Sequence, residues 1–213
     1  MSTTTLGRLL EYPSAHLPSL LTEAAGPLRA RRPEAAELLD TAREQFARLT
    51  SDETEELYTQ TFDITPSCVA YVSIHLFGEE NFKRGEFMAK LRQRYAEVGF
   101  DAAGELPDHL SLLLRFAAIV DEEERRDLYR FCLLSPLAKM IRSLDASHPY
   151  ASVLRAIEMA LKAEFPDVEA APLPADQMGQ SGMLNCGSFT PFGCHCSGQT
   201  ATAGELAKVT NEV

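Results

Sequence analysis

Apolar residues recur along this chain at intervals of three and four, and no stretch places them at alternate positions. An α-helix gathers residues at that spacing onto one face, whereas a half-buried strand needs a period of two. Leu39, Ala42, Phe46 and Leu49 form one such series, and Pro33 ahead of them suits a helix's first turn. Met88, Leu91, Tyr95 and Val98 form another. Leu106, Leu110, Leu113, Ala117 and Val120 form a third, with Pro107 and Asp108 near its start, where a carboxylate complements the helix dipole. Leu128, Phe131 and Cys132 give a short stripe. Ser135-Pro136 then reads as a break, Ser135 capping and Pro136 opening a helix with Leu137, Met140, Ile141 and Leu144. Tyr150, Val153, Leu154, Ile157 and Leu161 make the last clear helix, ending before Pro166.

The segment Ser67–Phe77 is apolar on nearly every side and is expected as a central, buried helix. Its Val, Tyr and Ile content would suit a strand, but the chain offers no partner strand and no hairpin dipeptide. The expected fold is all-α: one compact bundle of roughly seven to nine helices at usual helix and loop lengths. A fully buried Leu or Phe contributes about 1.5–3 kcal/mol, so these stripes are read as core.

After Phe165 the composition shifts to Ala, Pro, Gly, Ser and Thr with little apolar periodicity. The expected division is a helical domain over residues 1–165 and a flexible, low-structure tail over 166–213 that carries cysteines.

The 213 residues include 20 Lys and Arg against 31 Asp and Glu, a net charge of −11. That balance excludes nucleic acid as the main ligand, since phosphate binding needs a basic footprint. It favours either simple solubility or a basic partner segment. The apolar stretch around residues 110–120 is broken by Arg115 and too short to span a bilayer, so no stable membrane insertion is expected. The first thirteen residues make a poor signal peptide. The five cysteines, an odd number, then point to reduced thiols and a cytoplasmic location.

No Gly-x-Ser-x-Gly elbow, phosphate loop, dinucleotide fingerprint or His-Glu-x-x-His is present. Three constellations carry chemistry. Tyr58-Thr59-Gln60-Thr61-Phe62-Asp63 follows an acidic stretch and precedes Pro66; it is either core packing plus a cap, or an aromatic and carboxylate groove for a peptide. Glu105-Leu106-Pro107-Asp108-His109-Leu110 is either a capped helix start or a site for a carboxylate or extended peptide. Cys186, Cys194, His195 and Cys196 have soft-metal ligand types, though adjacent ligands at 194–196 are cramped for one tetrahedral ion. They support a metal-binding or redox reading of the tail beside an inert one. His75 reads as a buried, hydrogen-bonded histidine. An enzyme with a dispersed site would need His75, Asp108 and His109 to converge in one pocket.

Taken in order, Leu9-Leu10-Glu11-Tyr12-Pro13, Tyr58-x-x-Thr61-Phe62-Asp63, Ser73-x-His75-Leu76-Phe77, Arg84-Gly85-x-x-Met88 and Glu105-Leu106-Pro107-Asp108-His109-Leu110 resemble the NarJ-type nitrate reductase chaperones. These delta-subunit proteins belong to the TorD/DmsD superfamily, and the resemblance covers about residues 6–165. It departs from the family after Phe77, where Gly78-Glu79-Glu80-Asn81-Phe82-Lys83 stands, and in the cysteine-bearing tail. The resemblance implies an all-helical cytoplasmic chaperone without catalysis or a resident cofactor. Its implied partner is the catalytic subunit of a respiratory molybdoenzyme, bound through an N-terminal twin-arginine-like segment. That client, not the chaperone, carries the molybdenum cofactor and iron–sulfur cluster. By position, the implied peptide-binding residues are Tyr58, Phe62, Asp63, His75, Asp108 and His109.

Overall fold

The computed structural model describes residues 3–177. Within them run helices α1 (Thr3–Arg8), α2 (Leu17–Arg29), α3 (Pro33–Phe46), α4 (Ser51–Tyr58), α5 (Val72–Phe77), α6 (Phe82–Glu97), α7 (Leu110–Ala117), α8 (Glu122–Asp127), α9 (Leu134–Arg142), α10 (Pro149–Glu164) and α11 (Pro174–Gln177). The fold is all-α; among the described residues there is no strand, and a single antiparallel bridge pairs Tyr71 with His109. The helices outnumber the seven to nine expected because α1, α5, α8 and α11 are too short to show two full turns of apolar spacing.

Several helices begin on their local chemistry. Thr50 and Glu53 form a reciprocal capping box at α4, the Glu53 N–H donating to Thr50 Oγ1 at 3.2 Å and the Thr50 N–H to Glu53 Oε2 at 2.8 Å. Asp121 accepts from the Glu124 N–H at 2.9 Å and so starts α8. Pro33 takes the first turn of α3. Helices α2 and α3 form a hairpin, α3 lies on α10, and α1 lies on α7. Leu21, Leu39, Leu113, Phe116, Leu154 and Ile157 fill the core between them.

The α1–α7 contact is close because Gly7 has no side chain. A Cβ there would sit 2.6 Å from the Ser111 carbonyl oxygen, a backbone atom that cannot swing aside. Gly7→Ala is therefore expected to destabilise the protein by about 1–3 kcal/mol through overpacking. Urea unfolding checks this; an unchanged midpoint would mean α1 moves off α7 freely.

Three expectations are corrected. Only Val72–Phe77 of the apolar segment is helical. Residues 67–71 are non-helical after Pro66, bending at Ser67 and Cys68, and their backbone groups find other partners: Cys68 N–H donates to Thr61 O, and Leu110 N–H to Ala70 O, both at 2.9 Å. The segment is nonetheless buried, with Cys68, Ala70, Val72 and Leu76 all inside. Second, α7 begins at Leu110 with His109 as its N-cap, so Pro107 and Asp108 lie outside the helix. Third, Ser135-Pro136 is no break. The chain passes from α8 through a π-helical turn, Leu128–Leu133, straight into α9. Pro136 cannot donate to the carbonyl four residues back and its ring would press on it; the wider π turn just ahead accommodates both. Ser135 does not cap but donates to the Ala171 carbonyl at 2.5 Å.

That last bond belongs to a strap. Beyond Phe165 the chain stays on the bundle as far as Gln177. Ala171 N–H donates to Arg130 O at 2.9 Å, Leu173 is buried, and Arg126–Asp167 and Lys139–Asp176 pair at 2.7 and 2.8 Å. Among the described residues no helix is long and apolar enough to cross a membrane.

Candidate functional site

Helix α4 does not stop at Tyr58 but widens into a π-helical turn, Thr59–Asp63. The turn sends Tyr58 and Phe62 inward and leaves Asp63 exposed at its end. The Phe62 ring lies 4.8 Å from Tyr150 and 5.2 Å from Tyr58, and Tyr150 meets Phe46 at 5.1 Å. Tyr58 donates to the Leu10 carbonyl at 3.2 Å. Tyr58 and Phe62, two of the sequence candidates, are thus core aromatics whose outer edge meets the surface. That edge is Tyr12, 58% exposed, whose ring stands edge-on to Tyr58 at 5.4 Å and whose hydroxyl donates to Glu55 at 2.9 Å.

Asp108 departs further from expectation. Its carboxylate is fully buried, accepting from Ser73 Oγ at 2.5 Å and the Ser73 N–H at 3.4 Å, while its carbonyl accepts from the Val72 N–H at 2.9 Å. It pins the start of α5 to the start of α7 and offers no carboxylate to a partner at the surface. His109 is buried too, with Nδ1 accepting from the Ser111 N–H at 3.3 Å and standing 2.8 Å from Ser111 Oγ.

The two motifs nevertheless meet, through a residue that sequence reasoning missed. Tyr71 pairs with His109, its ring edge-on to the imidazole at 5.4 Å, and donates from its hydroxyl to Glu105 at 3.4 Å. Burial first, and then the fields of Glu105, Tyr71, Asp63 and Glu11, push the Tyr58 phenol far above its ordinary range. Burial and Glu105, with smaller contributions from Asp108 and Asp63, raise Tyr71. Asp63 and Glu105 act on both phenols, so both carboxylates lie near this pair of rings. Glu11 is paired with Arg115 at 3.0 Å, whereas Asp63 and Glu105 form no ion pair among the described residues. Ile64, 70% exposed, and Leu106, also exposed, flank them in sequence. These exposed carboxylates, each followed in sequence by an exposed apolar residue, are the candidate acidic face. Tyr71 lies within an apolar run with no local mark to single it out, and Glu105 precedes an Asp-His pair with the stronger local signal.

His75 stands apart. Its Nε2 lies 2.8 Å from the Val69 carbonyl, and burial lowers its pKa, with a smaller push in the same direction from Lys139 on α9. No hydrogen bond joins it to Asp108 or His109, and the two clefts flanking α4 are lined by none of the three. The larger cleft, about 560 Å³, lies among Gln45, Leu49, Glu56, Leu57 and Pro149; the smaller, about 210 Å³, among Pro13, Leu17, Phe46, Leu49 and Glu55. Cys186, Cys194, His195 and Cys196 fall outside the described residues, and among those described no three His, Cys, Asp or Glu side chains gather as a metal site.

Two helices at this site start on imidazoles. His148 Nδ1 accepts from the Tyr150 N–H at 3.2 Å, which places its proton on Nε2, 3.3 Å from Thr61 Oγ1 in the π turn. A protonated imidazole would lose the cap and set a cation against the helix dipole. Burial lowers the pKa of both His148 and His109, against opposing pulls from Asp145 on the first and from Glu105 and Asp108 on the second. A folded-state pKa below the free value means the unfolded chain binds the proton first. Stability from these groups is therefore full above about pH 6.5 and falls as the pH drops toward the folded values. His148→Asn keeps a capping oxygen without titrating, so it is expected to flatten the loss of Tm between neutral and mildly acid pH. An unaltered slope would remove His148 from the account.

Comparison with known proteins matches residues 26–147 to the family described as nitrate reductase delta subunit, a span that holds Tyr58, Asp63, Tyr71, Glu105 and Asp108. Over 160 residues the chain is 31% identical to the nitrate reductase-like protein NarX of Mycobacterium tuberculosis, covering 70% of this chain and 22% of NarX. Over 110 residues it is 33% identical to the probable nitrate reductase molybdenum cofactor assembly chaperone NarJ of Bacillus subtilis (strain 168), covering 50% of this chain and 58% of that protein. The matched part thus spans a fifth of the one relative and a little over half of the other.

Proposed function

The chain belongs to the nitrate reductase delta subunit family, and from that premise we propose that it is a cytoplasmic assembly chaperone and not an enzyme. Its client is the catalytic subunit of a nitrate reductase-like molybdoenzyme, bound by its basic N-terminal segment and held until the molybdenum cofactor is inserted. What supports this reading beyond family membership is a pair of exposed carboxylates, Asp63 and Glu105, neither held in an ion pair among the described residues, with the Tyr71 hydroxyl donating to Glu105. Of the residues that the resemblance suggests, Asp63 meets the client directly. Tyr58 and Phe62 form the floor, and Asp108 and His109 act from beneath. His75 takes no part.

Carboxylates at a surface accept arginine side chains through charge-assisted hydrogen bonds. Exposed Ile64, Leu106 and Tyr12 give an amphipathic helix somewhere to lay its apolar side. The segment must order as it binds, which offsets part of the contact energy and keeps the complex reversible. A chaperone that prefers the cofactor-free client shifts the population toward that state and lets go when insertion removes the preference.

The test is affinity purification of tagged protein from its own cytoplasm under nitrate-respiring conditions. A nitrate reductase catalytic subunit is expected to co-purify, and to be lost when its N-terminal segment is deleted. If that subunit is expressed but absent from the eluate, the reading is wrong.

A further inference from the structure

The segment after Phe77, where the sequence departs from the resemblance, has no part in the docking reading, and neither does the arginine that follows it. Gly78, at φ 86°, turns the chain out of α5. Asn81 then starts α6, its side chain accepting from the Lys83 N–H and donating to the Phe77 carbonyl, each at 3.0 Å. This tight return brings Arg84 back against α5. Its Nε donates to Ser73 Oγ at 3.0 Å and its Nη1 to the Glu79 carbonyl at 2.8 Å. Because Arg84 occupies an acceptor site on the Ser73 hydroxyl, the hydroxyl proton is left to Asp108, the bond at 2.5 Å.

The arrangement answers a physical need. Asp108 is fully buried, and among the described residues its Oδ1 has no hydrogen-bond partner and no cation pairs with it. A buried carboxylate without compensation is costly, and the guanidinium one hydroxyl away is the compensation on offer. Asp108 in turn holds both Val72 and Ser73, the two residues after Tyr71, and directly precedes His109, the residue paired with Tyr71. The order of contacts runs from Arg84 to Ser73, to Asp108, to the Tyr71–His109 pair, and out to Glu105 at the surface.

We propose that Arg84 is a positioning residue for the acidic docking face: it aims the Ser73 hydroxyl at the buried Asp108 carboxylate, and so fixes Tyr71 and Glu105 without itself touching the client. The proposal rests on the docking reading above. Lysine cannot replace it, because one ammonium cannot reproduce the fixed fork that serves Ser73 and Glu79 together.

Full-length protein is compared as wild type, Arg84→Met, Arg84→Lys, Tyr71→Phe and the Arg84→Met/Tyr71→Phe double variant. The probe is a synthetic copy of the N-terminal segment of the nitrate reductase catalytic subunit from the same cells, titrated by calorimetry. Arg84→Met is expected to weaken Kd about tenfold, and the double variant to be no weaker than the worse single one, because both act through Tyr71. A residue that only supports the fold would add its loss to that of Tyr71→Phe, and additive losses overturn the proposal. A second measurement needs no peptide: the ring signals of Tyr71 and His109 in NMR spectra are expected to shift in Arg84→Lys while those of His148 stay. Unmoved Tyr71 and His109 signals also overturn it. Failure of wild type to bind the peptide would refute the docking reading, and the ring signals would still decide the role of Arg84.

Discussion

Tyr150→Ala is expected to lower the unfolding free energy by about 3–5 kcal/mol, the usual cost of removing a large buried aromatic. Tyr150→Phe is expected to leave it unchanged or raise it by about 1 kcal/mol. The contrast comes from one side chain with two unlike parts. The ring is fully buried where Phe46, Tyr58 and Phe62 converge, at 5.1, 6.1 and 4.8 Å. The hydroxyl is equally buried but has no hydrogen-bond partner among the described residues, so burial costs it the bonds it would make in water and drives its pKa up. Urea unfolding followed by circular dichroism measures both. A loss in Tyr150→Phe close to that in Tyr150→Ala would show that the hydroxyl has a partner in solution. Because Tyr150 also backs Phe62 and Tyr58, the alanine variant should loosen the floor of the acidic face as well as the core.

The second large effect concerns binding. Reversing both unpaired carboxylates, as Asp63→Lys with Glu105→Lys, is expected to weaken a basic client segment at least about a hundredfold at low salt, close to 2.7 kcal/mol. Wild-type affinity should fall as salt is raised, and that of the double variant should barely respond. Because both side chains are exposed, folding stability should change by no more than about 0.5 kcal/mol per site. Asp108→Ala should behave in the opposite way. It leaves the buried Ser73 hydroxyl and N–H without their acceptor, a loss of about 2–4 kcal/mol in stability, and affects binding only through the displaced Tyr71. Calorimetry and thermal melting on the same samples separate the two. Equal behaviour of the surface pair and Asp108 would mean that the face at Asp63 and Glu105 is not where the client sits.

What the sequence makes legible follows the range of the interaction. Helices α3, α6 and α10 declare themselves because each repeats its apolar spacing over several turns. The all-helical fold and the family follow from such local patterns and from short motifs in order. The buried state of Asp108 is not local: its partner Ser73 is 35 positions away, and a Pro-Asp pair ahead of an apolar run looks like any helix start. Tyr71 was obscured in the same way, since its role comes from Glu105 and His109 on a distant loop. The exposure of Asp63 is local by contrast, since it is set by the turn that the residue ends. The strap from residue 166 to 177 looked like tail because its anchors, Arg130 and Ser135, lie in the second π turn and α9 rather than in its own periodicity.

The first π turn stores information in the number of its residues. An α-helix advances about 100° per residue, so a chain shortened by one position between Thr59 and Asp63 would rewind to α geometry and swing all that follows through roughly that angle. Phe62 would leave the Tyr150 ring and Asp63 would point elsewhere, although no functional side chain had been altered. In this part of the molecule a single-residue deletion is more disruptive than most substitutions, and relatives that differ here by one residue in length will present a different face even where their motifs read the same.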